Sequence, residues 1–316
     1  MKSLRSCLLG SRLLALGLLA AGTAGAQSSS FMGFQIPPNY LSRFASTELV
    51  ISTEAGYGVR AFPLLFPQDI RVSVVKAPTY WDYNVSTRVQ DTTLAAGVFY
   101  NVPRLEVTHD PPKGLQFGGL IQGGGNLTKF SAGYAHLLWE DRARLLGNVG
   151  VAFVGGNGVP YAQTEATAGY GRSFGKLNTY VGGAARLFAF PVQRDAQGSV
   201  DAVVVLNTTP LPGLTLDATH FERFVTGEVA VPAFSLGRYN ETKAGVTYRL
   251  PGDPALGLGA IRTRLSHAWQ SDVTTVWGDV LLRLNVLPSL VGPSVGYQWT
   301  PDGKGRWLIS LVTLPK

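Results

Sequence analysis

Basic side chains on one face of extended segments are the residues of this chain with the clearest capacity for chemistry. Successive side chains of a strand point to opposite sides, so residues two apart share a face. In several segments one face is apolar and the other carries arginine or lysine. The basic residues that this alternation places on the polar face are Lys129, Arg144, Lys176, Arg186, Lys243, Arg249, Arg262, Arg264 and Arg283.

Acidic residues on the same face are fewer, namely Glu165, Glu241 and Asp279. Two interpretations follow. The arginines could tie adjacent strands together by pairing with acids and backbone carbonyls. Alternatively, the excess of positive charge could line an aqueous path or cavity that favours anionic solutes or lipid phosphates. The sequence leaves both interpretations open.

The histidines present a second candidate site, because His136, His220 and His267 fall in the apolar phase of their strands. An amphipathic ring in that phase suits the headgroup level of a membrane. The alternative is a lipid-modifying enzyme, since Ser266-His267 and Ser271-Asp272 supply a nucleophile, a base and an orienting acid. Adjacent strand residues face opposite sides, so only Ser271, near a strand end, could meet His267. The sequence therefore predicts no catalytic residues.

Other site chemistries have little support. The histidines lack metal-ligand spacing, and Cys7 is the only cysteine. The glycines at 123–125 are not followed by the Lys-Ser/Thr pair of a phosphate loop. No basic run of the kind that binds nucleic acid is present. We therefore expect neither a metal nor a cofactor, and no nucleic-acid partner.

Strands with two unlike faces must position these side chains. In Trp277 to Leu287, the residues Val280, Leu282, Leu284 and Val286 share one face, while Asp279 and Arg283 lie on the other. Glu241 to Leu250 and Ala260 to Gln270 alternate in the same way. Charged residues make up 15% of the chain, below the roughly 25% of soluble domains. An exterior that faces lipid would produce that deficit.

The first 26 residues have the pattern of a cleavable secretory signal. Lys2, Arg5 and Arg12 precede the apolar stretch at 13–21, and Ala24-Gly25-Ala26 forms a cleavage site. We expect cleavage after Ala26, a polar leader over residues 27–46, and a single β domain over residues 47–316. Because the mature chain has no cysteine, a large core or a bilayer must hold it together.

Over about Thr47 to Leu314 this alternation resembles bacterial outer-membrane β-barrel proteins as a class. Leu214 to Leu250 and the closing hairpin faintly resemble the C-terminal strands of lipopolysaccharide-assembly barrels. The mature chain has neither the preceding soluble jelly-roll domain nor the cysteines of that family, so no residue role is carried across. It also ends in Leu314-Pro315-Lys316, whereas outer-membrane barrels commonly end in an aromatic residue.

We therefore predict an all-β transmembrane antiparallel β-barrel of about 14 strands, within a range of 12–16, in the bacterial outer membrane. A porin-like pore or passive transport protein is the favoured function, with a structural or lipopolysaccharide-handling envelope barrel as the alternative. The expected partners are outer-membrane lipids and the machinery that inserts barrels, together with anionic solutes or lipid phosphates.

Overall fold

The structure is a computed structural model of the 316-residue chain. Among the described residues there is no helix long and apolar enough to span a membrane. The signal and leader predicted for residues 1–26 and 27–46 lie outside the description, apart from one short hairpin. The described residues are 30–31, 34–35, 47–52, 56–61, 69–76, 79–227, 229, 235–252, 256–284, 289–303 and 305–315.

Strands form nearly all of the described regular structure, because β-branched and aromatic residues alternate with polar ones between short turns. In chain order they are β1 (Ser30–Phe31), β2 (Phe34–Gln35), β3 (Thr47–Ser52), β4 (Gly56–Ala61), β5 (Asp69–Lys76), β6 (Trp81–Val89), β7 (Thr92–Phe99), β8 (Val102–His109), β9 (Gly114–Gln122), β10 (Leu127–Leu138), β11 (Ala143–Val154), β12 (Asn157–Phe174), β13 (Leu177–Phe190), β14 (Asp195–Leu211), β15 (Leu214–Gly227), β16 (Tyr239–Arg249), β17 (Leu256–Ala268), β18 (Val273–Leu284), β19 (Ser289–Trp299) and β20 (Gly305–Pro315).

The strands from β3 to β20 form one closed antiparallel barrel, in which each strand pairs with the next along the chain. The ring closes where β20 meets β3, with Leu311 opposite Leu49 and Ile309 opposite Ile51. The described residues thus contain 18 barrel strands. The predicted count of about 14, with its range of 12–16, is wrong. Several turns contain only two residues, at 90–91, 100–101 and 155–156 for example, so the chain has room for more strands than the sequence estimate allowed, even though β12 is 18 residues long.

Tight turns keep consecutive strands adjacent. Tyr100 and Asn101 both have positive φ, at 52° and 69°, as do Gly155 and Gly156 at 56° and 86°. Two successive residues of positive φ form the two-residue turn whose twist matches that of antiparallel strands. Such short turns place each strand directly beside the one before it, and the result is an up-and-down barrel.

The two faces of the barrel differ as the alternation predicts. On β16, Val246 is 47% exposed on the outer side, whereas its neighbour Thr247 is 8% exposed on the inner side. On β17, Ile261 and Leu265 face outward and Arg262 faces inward. The predicted strand phases are confirmed over 241–249 and 260–268, whereas Leu250 and residues 269–270, which were assigned to the same strands, lie beyond the strand ends.

Exposed aromatic side chains lie near both ends of the barrel. Trp299 and Trp307 flank the turn between β19 and β20, and Tyr297 contacts both rings edge-on at 4.7 and 4.9 Å between centroids. Trp139 and Tyr170 lie on the outside near the opposite end. Two aromatic levels separated by aliphatic residues are typical of the interface girdles of membrane barrels.

The inner wall also contains apolar clusters that sequence alternation did not reveal. Leu281 is on the inner side of β18 but fully buried, packed with Ala260, Leu290, Val312 and Leu314. A second cluster combines Tyr180, Ala184, Val203, Val205 and Phe221. The interior is therefore polar in zones, and the charged residues lie between apolar patches.

Candidate functional site

The first charged zone is a ladder across four adjacent strands, β12 to β15. Arg186 donates from Nε to Glu165 Oε2 at 2.6 Å and from Nη1 to the carboxylate of Asp201. Asp201 in turn accepts from Arg223, whose Nε and Nη2 lie 2.9 and 2.7 Å from its two oxygens. Glu165 and Arg186 are opposite one another in register, as are Asp201 and Arg223. The ladder consequently joins four strands by side chains as well as by backbone.

The second charged zone is centred on Asp279 of β18. Its carboxylate accepts from Arg262 Nε at 2.5 Å, from Arg264 Nε and Nη2 at 3.0 Å each, and from Ser294 Oγ at 2.5 Å. The Asp279 side chain is 0% exposed and that of Arg262 only 3% exposed. A carboxylate with this many charge-assisted donors is strongly held. It joins β17, β18 and β19.

Gly245 of β16 leaves room for an acid beside this zone. A Cβ at Gly245 would lie 2.8 Å from Asp217 Oδ1, so the carboxylate of Asp217 lies against the backbone there. Gly245 is opposite Asp217 on one side and opposite Arg264 on the other. The missing side chain therefore brings a β15 carboxylate toward the arginines of β17.

The lysines of the inner wall have different surroundings. Lys243 Nζ lies 3.0 Å from Glu241 Oε2, and 43% of its side chain remains exposed. Glu241 also accepts from the hydroxyl of Tyr239. Lys129 Nζ lies 5.7 Å from the ring centroid of Tyr161, within cation–π range.

The remaining basic residues predicted for this face lie nearer the barrel ends. Arg144 is buried and donates to the carboxylate of Asp110 and to the carbonyl of Pro112 at 3.2 Å. Arg283 donates to the carbonyl oxygen of Gly252 in the turn after β16. Arg249 ends β16 on its inner side.

Lys176 requires a correction, because it lies in the exposed turn between β12 and β13 and not on the wall. Its Nζ donates to the carbonyl of Pro210 at 2.8 Å. The sequence analysis began this strand one residue too early, since β13 begins at Leu177. Strand alternation cannot place a residue inside a turn.

Asp201 and Arg223 were missed by the sequence reasoning, although both are central to the first ladder. Their strands carry apolar residues on both faces, with Val203 and Val205 inward and Val200 and Val204 outward. Such strands have no amphipathic alternation from which to set the phase. The signal that could have found them is the charge itself, since an isolated acid or base in an apolar strand requires a partner.

The residues of the hydrolytic alternative do not come together. Ser266 is on the inner side of β17 and His267 on the outer side. His267 Nδ1 contacts Thr274 Oγ1 at 2.8 Å, while Ser271 Oγ donates to the carbonyl of Ala268 at 3.4 Å. Within the described residues no group of three or more His, Cys, Asp or Glu could hold a metal ion.

Comparison with known proteins gives distant structural likenesses. No protein-family model and no curated protein matches the chain. A bacterial polysaccharide outer membrane secretin is 12% identical, with a TM-score of 0.37 over 86% of this chain and 97% of that one. OccK9 (OpdG) of Pseudomonas aeruginosa is 11% identical, with a TM-score of 0.40 over 86% and 96%. A loop L8 deletion mutant of OmpT, an outer membrane protein of Vibrio cholerae, is 11% identical, with a TM-score of 0.34 over 85% and 96%. Likenesses of this size carry no argument about function.

The class of this protein follows from its geometry. A closed antiparallel sheet with an apolar exterior, aromatic residues at both rims and charged residues within has the architecture of a transmembrane β-barrel. The resemblance to bacterial outer-membrane β-barrels is confirmed at this level.

Proposed function

We propose that this protein is a porin-like barrel of the bacterial outer membrane that conducts small solutes passively. The observation that carries the proposal is the closed ring of 18 strands with buried ion pairs along its inner side. Barrels of about 16–18 strands enclose more space than their inward side chains fill, and water occupies the remainder. Export by the N-terminal signal and assembly by the outer-membrane insertion machinery belong to the same proposal.

The interior is proposed to be basic on balance. Among the residues whose side chains are described, the inward bases are Arg88, Arg104, Lys129, Arg144, Arg186, Arg223, Lys243, Arg249, Arg262, Arg264, Arg283 and Arg306. The inward acids of the same part of the chain are Asp82, Glu106, Glu165, Asp195, Asp201, Asp217, Glu241 and Asp279. The tightly paired arginines are best suited to holding the wall, so solute preference would come from the more exposed bases.

Conductance in planar bilayers tests the proposal. We expect discrete openings from the purified mature protein and reversal potentials that favour anions. The preference should weaken at high salt, because the Debye length falls from about 10 Å at 0.1 M to about 3 Å at 1 M. A cation-selective channel would contradict the basic interior, and a folded protein without conductance would contradict the pore.

The double variant Lys129→Gln, Lys243→Gln should lower the preference of the channel for anions. The reduction should exceed the one caused by removing positive charge from a residue outside the lumen. Lys243 is the more exposed, and its charge acts where solutes would pass. The measurement is the reversal potential in a salt gradient at 0.1 M. Lys176→Gln is the control, since it removes one positive charge from an exposed turn. An equal loss of preference in the control would show that the inner lysines have no special role.

A structural or lipid-handling envelope barrel is the second candidate. The buried apolar clusters on the inner wall favour it, because Leu281 and Phe221 are almost fully buried and present no polar surface to a solute. Turnover assays with phospholipid or lipopolysaccharide, run beside the bilayer recordings, separate this candidate from the pore.

A further inference from the structure

The short N-terminal hairpin β1–β2 lies against the wall of the barrel that is farthest from its own point of entry. Residues of β2 lie within 8 Å, Cα to Cα, of residues on β12 and β13. The chain enters the barrel at β3, and β12 is nine strands away from β3 in either direction around the ring. In a ring of 18 strands, that position is diametrically opposite.

The length of the connection decides by which route the hairpin reaches that wall. Eleven residues, 36–46, join β2 to β3, and an extended chain of that length reaches about 40 Å. With strands about 4.8 Å apart and tilted by about 40°, a ring of this size is about 35 Å across, and half of its circumference is about 55 Å. A route around the outside is longer still, because it must pass the outward side chains. The hairpin therefore reaches β12 and β13 across the opening of the barrel.

The inner face of β13, β14 and β15 has an apolar cluster whose burial requires a cover. Val203 and Phe221 face inward and are almost fully buried. In a wide barrel an inward side chain has neighbours beside it on the wall, but open space above it. Lys243, inward on β16, accordingly keeps 43% of its side chain exposed. Among the described residues Tyr239 is the one partly buried apolar side chain that packs on this cluster, so its burial indicates a further layer inside the wall.

A neighbouring cluster shows what such a layer is like. Val229 and Leu236, from the connection between β15 and β16, pack on the inner cluster that contains Tyr161 and Phe190. The amide oxygen of Gln197 accepts from the backbone N–H of Leu236 at 2.7 Å. That connection covers the end of the barrel from which it leaves. The cluster of Val203 lies farther along the same strands, toward the end at which β3 begins.

The composition of the leader suits this second apolar face. Between residues 27 and 46 the one charged residue is Arg43, and the aromatic residues are Phe31, Phe34, Tyr40 and Phe44. Burying apolar side chains of such a segment against an apolar wall is favourable, and it removes no charge of the hairpin from water.

We propose that the hairpin β1–β2 docks inside the barrel on the apolar inner face of β13–β15 and forms a tethered plug. It fills the lumen from the side of β12 and β13 and leaves a passage narrower than the empty ring. The plug depends on the barrel fold and not on conduction, so it goes beyond the proposed pore function.

Thiol labelling of the mature protein in detergent tests the plug. Cys7 precedes the predicted cleavage site, so Ala184→Cys provides the only thiol, on the buried inner side of β13. We expect slow reaction with N-ethylmaleimide in the full mature chain and reaction about tenfold faster after deletion of residues 27–46, because a covered thiol reacts only while its cover is open. Lys243→Cys should react rapidly in both forms, which shows that the reagent enters the barrel. Equal rates for Ala184→Cys in the two forms would overturn the proposal.

Charges placed in the hairpin test the plug in a chain of full length, and this variant replaces the deletion if the shortened chain does not insert. Phe31→Glu with Phe34→Glu adds carboxylates that burial against the cluster would desolvate. The hairpin should therefore leave the wall, and Ala184→Cys should react rapidly. Ser28→Glu with Ser29→Glu adds the same charge just before the hairpin and should keep the slow reaction. Equal rates in the two charged variants would show that the hairpin does not cover the wall. Labelling does not measure conductance, so this result would leave the pore proposal untouched.

Discussion

Replacing Asp279 with alanine is expected to destabilise the barrel by about 3–5 kcal/mol, the usual cost of breaking a buried ion pair by removing one partner. The change leaves Arg262, whose side chain is 3% exposed, without its carboxylate, and removes the acceptor of Arg264 and Ser294. Arg262 Nη2 is already buried without a hydrogen-bond partner among the described residues, so it cannot compensate. The measurement is unfolding by heat or urea in detergent, read as loss of the compact, fast-migrating form on gels.

Glu140→Ala is the control for the loss of an acid paired with an arginine. Glu140 lies 3.4 Å from Arg142 in an exposed turn, with side chains 85% and 56% exposed. Exposed pairs contribute about 0–1 kcal/mol. Similar losses in Asp279→Ala and Glu140→Ala would mean that water reaches Asp279 and that the charged zone around it does not hold the wall.

The second large effect concerns the lipid-facing side. Val246→Arg places a charge on the outer face of β16, where we expect a cost of about 2–4 kcal/mol if the residue lies near the midplane. Ser266→Arg on the adjacent strand introduces the same side chain on the inner side, opposite Lys243. A like charge across a strand pair costs a few tenths to one kcal/mol. The same gel assay in detergent-free liposomes compares the two variants.

The choice of the inner control matters. Leu281 also faces inward but is fully buried in an apolar cluster, so an arginine there would be damaging for a different reason. Equal damage from Val246→Arg and Ser266→Arg would show that the assignment of outer and inner faces on β16 and β17 is wrong.

Particular residues show why part of the site was predictable. Arg262, Arg264 and Asp279 lie on strands with one apolar face, and a period of two places them on the opposite face without knowledge of the fold. Asp201 and Arg223 lie on strands with apolar residues on both sides, so alternation does not show which side of the strand faces inward. Lys176 shows the complementary error, since alternation was continued into a turn.

What the sequence determined by itself is the strand alternation, and with it the side of the wall on which most bases lie. This information is local, because it depends only on neighbours two residues apart. Which acid meets which base was decided by tertiary structure. Asp201 accepts from Arg223, which is directly opposite it, and from Arg186, which is diagonally across on the other neighbouring strand, only because the registers of three strands bring them within reach. The buried inner clusters likewise depend on register. Register is set by turn lengths and by packing across strands. The alternation within a single strand gives no information about either of these.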